Sequence, residues 1–352
     1  MGRKHRDFQK IVERIESRID SWKTKFLSFS GRATLIKAVT SSIAAYYMSV
    51  LPFPVGICNE IDRLHRDFLW GHDRERRKIH LVNWRDICLP KSQGGLGIPK
   101  SRERNLAFLA KLFWRSQTEK SKPWARICET NLNLSVGRRT IISQGLIMGK
   151  EVVRRGSRIN IFSGKDTKFW VQHWCKGGIL REAISGPLNF REDCLTVSDV
   201  AASIGTWDWS QISFELPTPM RNEIAGTLVD GSSDKSDTSV WQFNSKGSPD
   251  VKSAYRMMLD YSKGPNAHNL GWIWKIKVHT RVTFFLWLLL RNAIPTKSLL
   301  NSRGIDIPNE CPLCLSGPES SEHLFKLCRV TTQSEPIPGH YFCLLSVVYL
   351  VC

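Results

Sequence analysis

Acidic residues and long apolar runs are both scarce in this chain. Asp and Glu number 32 against 51 Lys and Arg, which leaves a net charge of +19 over 352 residues. That balance favours a polyanionic partner, either nucleic acid or an anionic membrane surface. The two longest apolar runs, 282–290 and 341–352, fall short of the roughly 20 residues that a membrane span requires. The basic start Met1–Arg6 is followed by Asp7, Glu13 and Glu16 rather than by an apolar stretch, so it does not read as a secretory signal. The expectation is an intracellular protein of the nucleus or cytoplasm with no membrane partner.

Motifs that carry chemistry are scarce as well. Gly94-Gly95-Leu96-Gly97 is followed by no Gly-Lys-Ser/Thr and has no dinucleotide fingerprint around it, so it reads as a tight turn. There is no Gly-x-Ser-x-Gly, no His-Glu-x-x-His and no aromatic-x-Asp-Asp; the only adjacent acidic pair is Glu192-Asp193. In-line phosphoryl transfer needs carboxylates holding two cations about 3.5–4 Å apart, and no such set is visible. Neither catalysis nor a small-molecule substrate is expected.

What the sequence does have is helix periodicity and an uneven charge. Of the net charge, +13 sits in the first 125 residues. Phe8, Ile11, Ile15, Ile19, Trp22 and Phe26 recur at spacings of three and four, an apolar stripe on one helix. Ser28 or Ser30 offers an N-cap for a second helix through Leu35, Val39, Ile43 and Tyr47, closed by Pro52 and Pro54. A third, through Ile57, Ile61, Leu64 and Phe68, ends at Gly71, and Asn105 opens another with Leu106, Leu109, Phe113 and Trp114 on one side. Between 132 and 237 short alternating stretches such as 158–162 and 168–171 predict strands, and Gly231–Asp237 has linker composition. Beyond it, 240–243 and 249–251 flank Gly247 like a small hairpin, with helices over 252–261 and 282–291.

Ten cysteines without a secretory signal are expected to be free thiols. Cys311, Cys314 and Cys328 cluster with His323 as Cys-x2-Cys-x8-His-x4-Cys, three thiolates and one imidazole, the ligand number and type of a closed tetrahedral zinc site. Four protein ligands leave no open position, so such a Zn2+ is structural. The alternatives are a grouping of buried thiols or a redox Cys-x-x-Cys. For nucleic acid, Arg74, Arg76, Arg77 and Lys78, with Arg102, Arg104, Lys111 and Arg115, are the candidate phosphate contacts, since such contacts release counterions and read no sequence; the alternative is a solvated charged face. Trp70, Trp84, Trp114, Trp124, Trp170 and Trp174 could stack bases, but packing in a core is the commoner use.

These residues, in order, resemble the non-LTR (LINE-type) retrotransposon polyproteins of plants, in the stretch downstream of the reverse transcriptase palm that ends in the reverse transcriptase zinc-binding domain. The resemblance is carried by Trp22 to Ser28, Gly31 to Lys37, Tyr47-Met48-Ser49, Phe68-Leu69-Trp70-Gly71, Ile79-His80-Leu81-Val82-x-Trp84 and Pro90-Lys91-x-x-Gly94-Gly95-Leu96-Gly97-Ile98. It continues through Phe169-Trp170 with Trp174, Trp241-x-Phe243, Val251 to Tyr255, Trp272 and Trp274, Phe285-x-Trp287, Pro295-Thr296, Arg303-Gly304 and Cys311 to Cys328. Three departures stand out. The family's catalytic Asp pair lies upstream of the matched stretch, Gln172 replaces the acid of Phe-Trp-x-Asp-x-Trp, and residues 329–352 replace the family's continuation toward an RNase H domain, as in a truncated reading frame.

The resulting expectation is an α+β chain. It has a helical basic region over 1–130, a strand-containing connector over 131–237, a small helical zinc-binding module over 238–330 and a divergent tail over 331–352. The resemblance implies a non-catalytic retroelement fragment that binds RNA or DNA without sequence preference and holds a structural zinc. The alternatives are an inert or host-adopted protein-interaction fragment and, less favoured because the acids are missing, part of an active polymerase.

Overall fold

The computed structural model describes residues 3–23, 27–72, 78–133, 140–260 and 270–333. Phe26, Arg74, Arg76 and Arg77 therefore lie outside the described residues, as does the tail from 334. The chain forms two compact units, one drawn from Met1–Tyr46, Phe53–Arg102 and Lys263–Cys352 and the other from Tyr47–Pro52 and Glu103–Ser262. The secondary structure is mainly helical with four short strands among the described residues, an α+β chain.

In the first unit, α1 (Arg3–Lys23) buries Phe8, Ile11, Ile15 and Ile19, the stripe that the spacing predicts. Trp22 meets Phe68 of α4 (Val55–Trp70), with ring centroids 5.8 Å apart. Between them lies α2 (Phe29–Leu35), capped by Ser28, whose hydroxyl accepts from the Gly31 amide at 3.2 Å. The helix continues through one wide turn, Ile36–Thr40, into α3 (Ser41–Met48). Helix α4 stops at Gly71, whose φ of 71° suits glycine. There the amide of Gly71 bonds to the Phe68 carbonyl and that of His72 to the Asp67 carbonyl, the two bonds of a Schellman cap.

A short helix, α5 (Trp84–Cys88), then leads into the glycine turn. A Cβ at Gly95 would lie 2.0 Å from the Leu89 carbonyl oxygen, and one at Gly271 would lie 2.3 Å from that of Ser92. Both glycines are thus required by close backbone approach, and no phosphate cradle need be invoked. The Gly94 carbonyl accepts from the indole of Trp287, 2.6 Å away, and from Arg291 at 2.9 Å.

Helix α6 (Ser101–Thr118) starts four residues earlier than expected: the Ser101 amide and hydroxyl both bond to Asp62 Oδ1. Asn105 is no helix opener but a buried interior residue whose amide donates to the Met48 and Leu51 carbonyls at 2.9 and 2.8 Å. In the second unit follow α7 (Pro123–Leu132) and α8 (Ile141–Gly156), the latter capped by Thr140. A long helix at 141–156 departs from the strand reading of this region. Its Gly149 sits against the Leu109 carbonyl, where a Cβ would be 2.2 Å away, so a residue that reads as a loop former serves instead to let two helices touch.

The strands are β1 (Ser157–Asn160), β2 (Ala201–Ser203), β3 (Thr206–Trp207) and β4 (Thr238–Trp241), with α9 (Val197–Val200) and α10 (Thr218–Ala225) between. β1 pairs antiparallel with β4, Ser157 opposite Trp241, and β2 pairs with β3. The expected hairpin about Gly247 is corrected: β4 takes its partner from 157–160, and 251–260 is α11 (Val251–Asp260). The stretch 168–171 holds a single bridge, Lys168 to Thr196, followed by a turn. Phe169, Trp170, Trp174, Leu180, Val197 and Val200 form a core beneath, so both tryptophans are packing residues. Asp237, in the expected linker, accepts from the amides of Phe162 and Gly164 and from the Thr167 hydroxyl, which ties 237 to 162–167.

Gly95→Ala should destabilise the chain by about 1–3 kcal/mol, the usual cost of overpacking, because the obstructing atom is backbone. Urea unfolding should show a lower midpoint at unchanged slope. Gly231→Ala, with open space around the added carbon, should leave the midpoint where it was.

Candidate metal centre and basic surface

Helix α12 (Thr280–Leu290) and the short α13 (Lys297–Ser302) precede the cysteine cluster. The start of α13 fastens both arms of a small loop. The Ser298 amide donates to the Glu319 carbonyl and its hydroxyl to Asn309 Oδ1, while Lys297 donates to the Glu310 carbonyl. The arms close on themselves, Cys311 N–H to the Gly317 carbonyl at 2.8 Å and Glu319 N–H to that of Asn309 at 2.8 Å. Leu315, with a φ of 55°, turns the chain within this loop. The Ser320 hydroxyl then accepts from the His323 amide at the start of a wide helical turn, His323–Leu327, and the Cys328 amide returns to the His323 carbonyl at 2.7 Å.

Loop and turn bring Cys311, Cys314, His323 and Cys328 together, with one ligating atom from each inside 4.8 Å of all the others. The Cys311 and Cys328 sulfurs are 4.0 Å apart, and the Cys314 sulfur is 3.1 Å from His323 Nε2. Zinc bonded to sulfur at about 2.3 Å in a tetrahedron would set two sulfurs ~3.8 Å apart, whereas a disulfide needs about 2.05 Å. The donor set and spacing therefore fit a metal, and the thiols are free. The Ser316 hydroxyl and amide, with His323 contributing, pull the Cys314 thiol down to about 6, while burial pushes Cys311 up. Cys311 is the one buried residue between 301 and 322.

The basic candidates are treated unequally by the fold. Lys78, Arg102, Lys111 and Arg115 are exposed. Arg104 is half-buried over the Phe108 ring, and burial lowers its pKa. Arg115 is held by Glu119 through two bonds of 2.8 and 3.1 Å and lies over Trp124. Among the tryptophans, Trp70 and Trp84 are buried, while Trp114 and Trp124 are half-buried. A cleft of about 530 Å³ that the sequence did not reveal is lined by Arg154, Arg155, Arg158, Gln172 and His173. Two of its arginines share Glu151 and hold that carboxyl at about 2.

The Glu192-Asp193 pair has a structural explanation. Glu192 is buried and accepts from the amides of Asn189 and Ser213 and from the Ser213 hydroxyl at 2.6 Å. Burial alone would raise its pKa; these donors outweigh it and leave the carboxyl below its ordinary value.

Residues 250–334 match the family model described as zinc-binding in reverse transcriptase, a stretch that contains all four clustered side chains. The chain is also 33% identical over 334 residues to an Arabidopsis thaliana protein provisionally named a ribonuclease H protein, covering 91% of this chain and 54% of that relative. It is 28% identical over 157 residues to an uncharacterized mitochondrial protein of Arabidopsis thaliana, 42% of this chain and 99% of the relative. The chain thus spans about half the length of the first relative.

Glu192→Gln should cost about 1–3 kcal/mol at neutral pH, since its amide end turns donors toward donors. Because the folded-state pKa is lowered, the carboxylate's contribution is present above the unfolded value of about 4.3 and lost as pH falls through the folded one. The stability gap between wild type and Glu192→Gln, read by urea unfolding, should therefore narrow below roughly pH 4. A gap that does not change with pH would remove the ionised form from the explanation.

Proposed function

We propose that this chain is a non-catalytic, retroelement-derived segment that binds RNA or DNA through the phosphate backbone and is ordered in part by one structural zinc. The observation that carries the reading is the convergence of Cys311, Cys314, His323 and Cys328 within the segment that matches the zinc-binding model. The net charge of +19 supports the nucleic-acid half, as does the name of the first relative, which refers to an enzyme of nucleic acid. Zinc bound by all four side chains would keep no site for water, so its work would be to fold the loop rather than to activate a nucleophile. The LINE-type origin and the location in nucleus or cytoplasm belong to the same proposal.

One zinc per chain should copurify with the cluster, and Cys314→Ser or His323→Ala should abolish it and unfold the segment after Pro295. Structural zinc contributes an apparent ~10–16 kcal/mol in small domains, far more than residues 301–322, with Cys311 alone buried, recover by burial. Protons compete with zinc for the thiolates, so zinc retention should fall as pH falls. Elemental analysis of the reduced protein and its two variants provides the check: each variant should hold one zinc fewer than the wild type, and an unchanged zinc content would remove these ligands from the assignment.

For nucleic acid, the full chain should bind single- and double-stranded probes with little sequence preference. Its log affinity should fall linearly with log salt, by about 0.9 for each phosphate neutralised on duplex. Replacing Arg74, Arg76, Arg77 and Lys78 together by Ala should flatten that slope. Absence of binding at low salt would favour a protein-interaction role instead.

A further inference from the structure

Among the described residues, a second group of side chains lies close enough to share a metal: Asp67, His72 and His80, one ligating atom of each within 4.8 Å of the others. No sequence motif announces it. The Schellman cap of α4 assembles it: the bond from the His72 amide to the Asp67 carbonyl at 2.8 Å folds the chain back over the helix end from which Asp67 projects. Lys78 then returns beside His72, whose Nε2 donates to the Lys78 carbonyl at 2.6 Å. Two residues on, His80 lies with its ring centroid 4.8 Å from that of His72.

Three details separate this group from an ordinary ion pair. His80 Nε2 is buried and makes no hydrogen bond, although Asp67 Oδ1 is only 3.5 Å away. A zinc ion bonded to nitrogen and oxygen at about 2.0–2.2 Å in a tetrahedron would set those atoms ~3.4 Å apart, so the gap matches a bridging ion better than a direct contact. The Lys78 carbonyl can only accept, so His72 Nε2 carries hydrogen and, in the neutral ring, Nδ1 keeps the lone pair; metal-binding histidines are oriented in just this way by a carbonyl behind them. Finally, Arg63 occupies Asp67 Oδ2 at 3.5 Å and leaves Oδ1 to His80.

We propose that Asp67, His72 and His80 form a second divalent-metal site, distinct from the cysteine cluster, that takes a nitrogen-preferring ion of the zinc class with coordination positions left open. Two imidazoles and one carboxylate select against Mg2+ and Ca2+, which want oxygen. The Asp67 and His80 side chains are 26% and 28% exposed, so water or an anionic ligand can reach such an ion. The metal would hold His72 and His80 against the end of α4.

The test is cobalt(II) binding to the reduced, chelator-stripped full chain, read by elemental analysis after gel filtration and by absorption. Cobalt in the cysteine cluster gives a thiolate charge-transfer band; cobalt held by two imidazoles and a carboxylate does not. Wild type should bind two ions per chain. Asp67→Asn and His72→Gln, which preserve side-chain size, should each bind one, with the thiolate band undiminished and the far-UV spectrum in chelator unchanged. A single ion per wild-type chain, or two ions retained by the Asp67→Asn/His72→Gln double variant, would overturn the proposal.

Discussion

The carbonyl of Gly94 ties two stretches of the first unit that are distant in sequence. It accepts from Trp287, 193 residues further on, and from Arg291, 197 residues further on. A buried carbonyl without donors costs about 1–3 kcal/mol; here both lone pairs are used, by an indole with no exposed surface and by a guanidinium. Such closeness is possible because the turn has no side chains in the way. Gly95 lies against the Leu89 carbonyl and Gly271 against that of Ser92, and either methyl would push the two backbones apart. The aromatic neighbours follow from that contact: Phe29 stacks on Trp287 with centroids 6.4 Å apart and meets Phe284 edge-on at 5.6 Å. The stretch that matches the zinc-binding model is consequently no separable bead. Its first helix, α11, belongs to the second unit, while α12 and everything after it belong to the first.

Much of the helical architecture could be read in the sequence because its signals are local. Ser28 as a cap, Gly71 as a stop and the stripe from Phe8 to Ile19 each need only a few neighbouring residues to specify them. Helix α8 could not be read that way. Gly145, Gly149 and Gly156 weaken its apparent propensity, yet each is small because something must approach closely: Pro52 and Leu109 at Gly145, the Leu109 carbonyl at Gly149 and the Trp241 ring at Gly156. The reason for each glycine lies in a residue distant in sequence. The hairpin about Gly247 failed similarly, since β4 is drawn to β1 some eighty residues earlier, where Trp241 enters a core with Val152, Val153 and Met257.

The same distinction governs the sites. The cysteine cluster was legible because all four side chains fall within 18 residues and their spacing carries the chemistry. Asp67, His72 and His80 span a similar length, but their meeting depends on a helix cap and on a carbonyl that orients one ring, neither of which is a property of spacing. Gln172 illustrates the converse. Where the resembling family has an acid, its carbonyl oxygen accepts the Lys168 amide at 2.6 Å, a bond a carboxylate would make equally well. The departure therefore preserves the local turn and says little about chemistry.

Charge follows a different logic again. The sequence concentrates +13 in its first 125 residues, but a count cannot tell which cations remain available to a phosphate. Arg115 already faces a carboxylate in a bidentate pair, and Arg104 lies partly out of solvent. A phosphate at Arg115 must displace Glu119, whose carboxyl the arginine and Lys122 hold at about 2, so it stays charged and in competition at any ordinary pH. Lys111 and Arg102 meet no such carboxylate among the described residues and keep the long, solvated stems that suit backbone contacts. The electrostatic footprint on α6 is thus narrower than its arginine and lysine content, and the affinity it can supply is set by counterions released at the exposed positions rather than by formal charge.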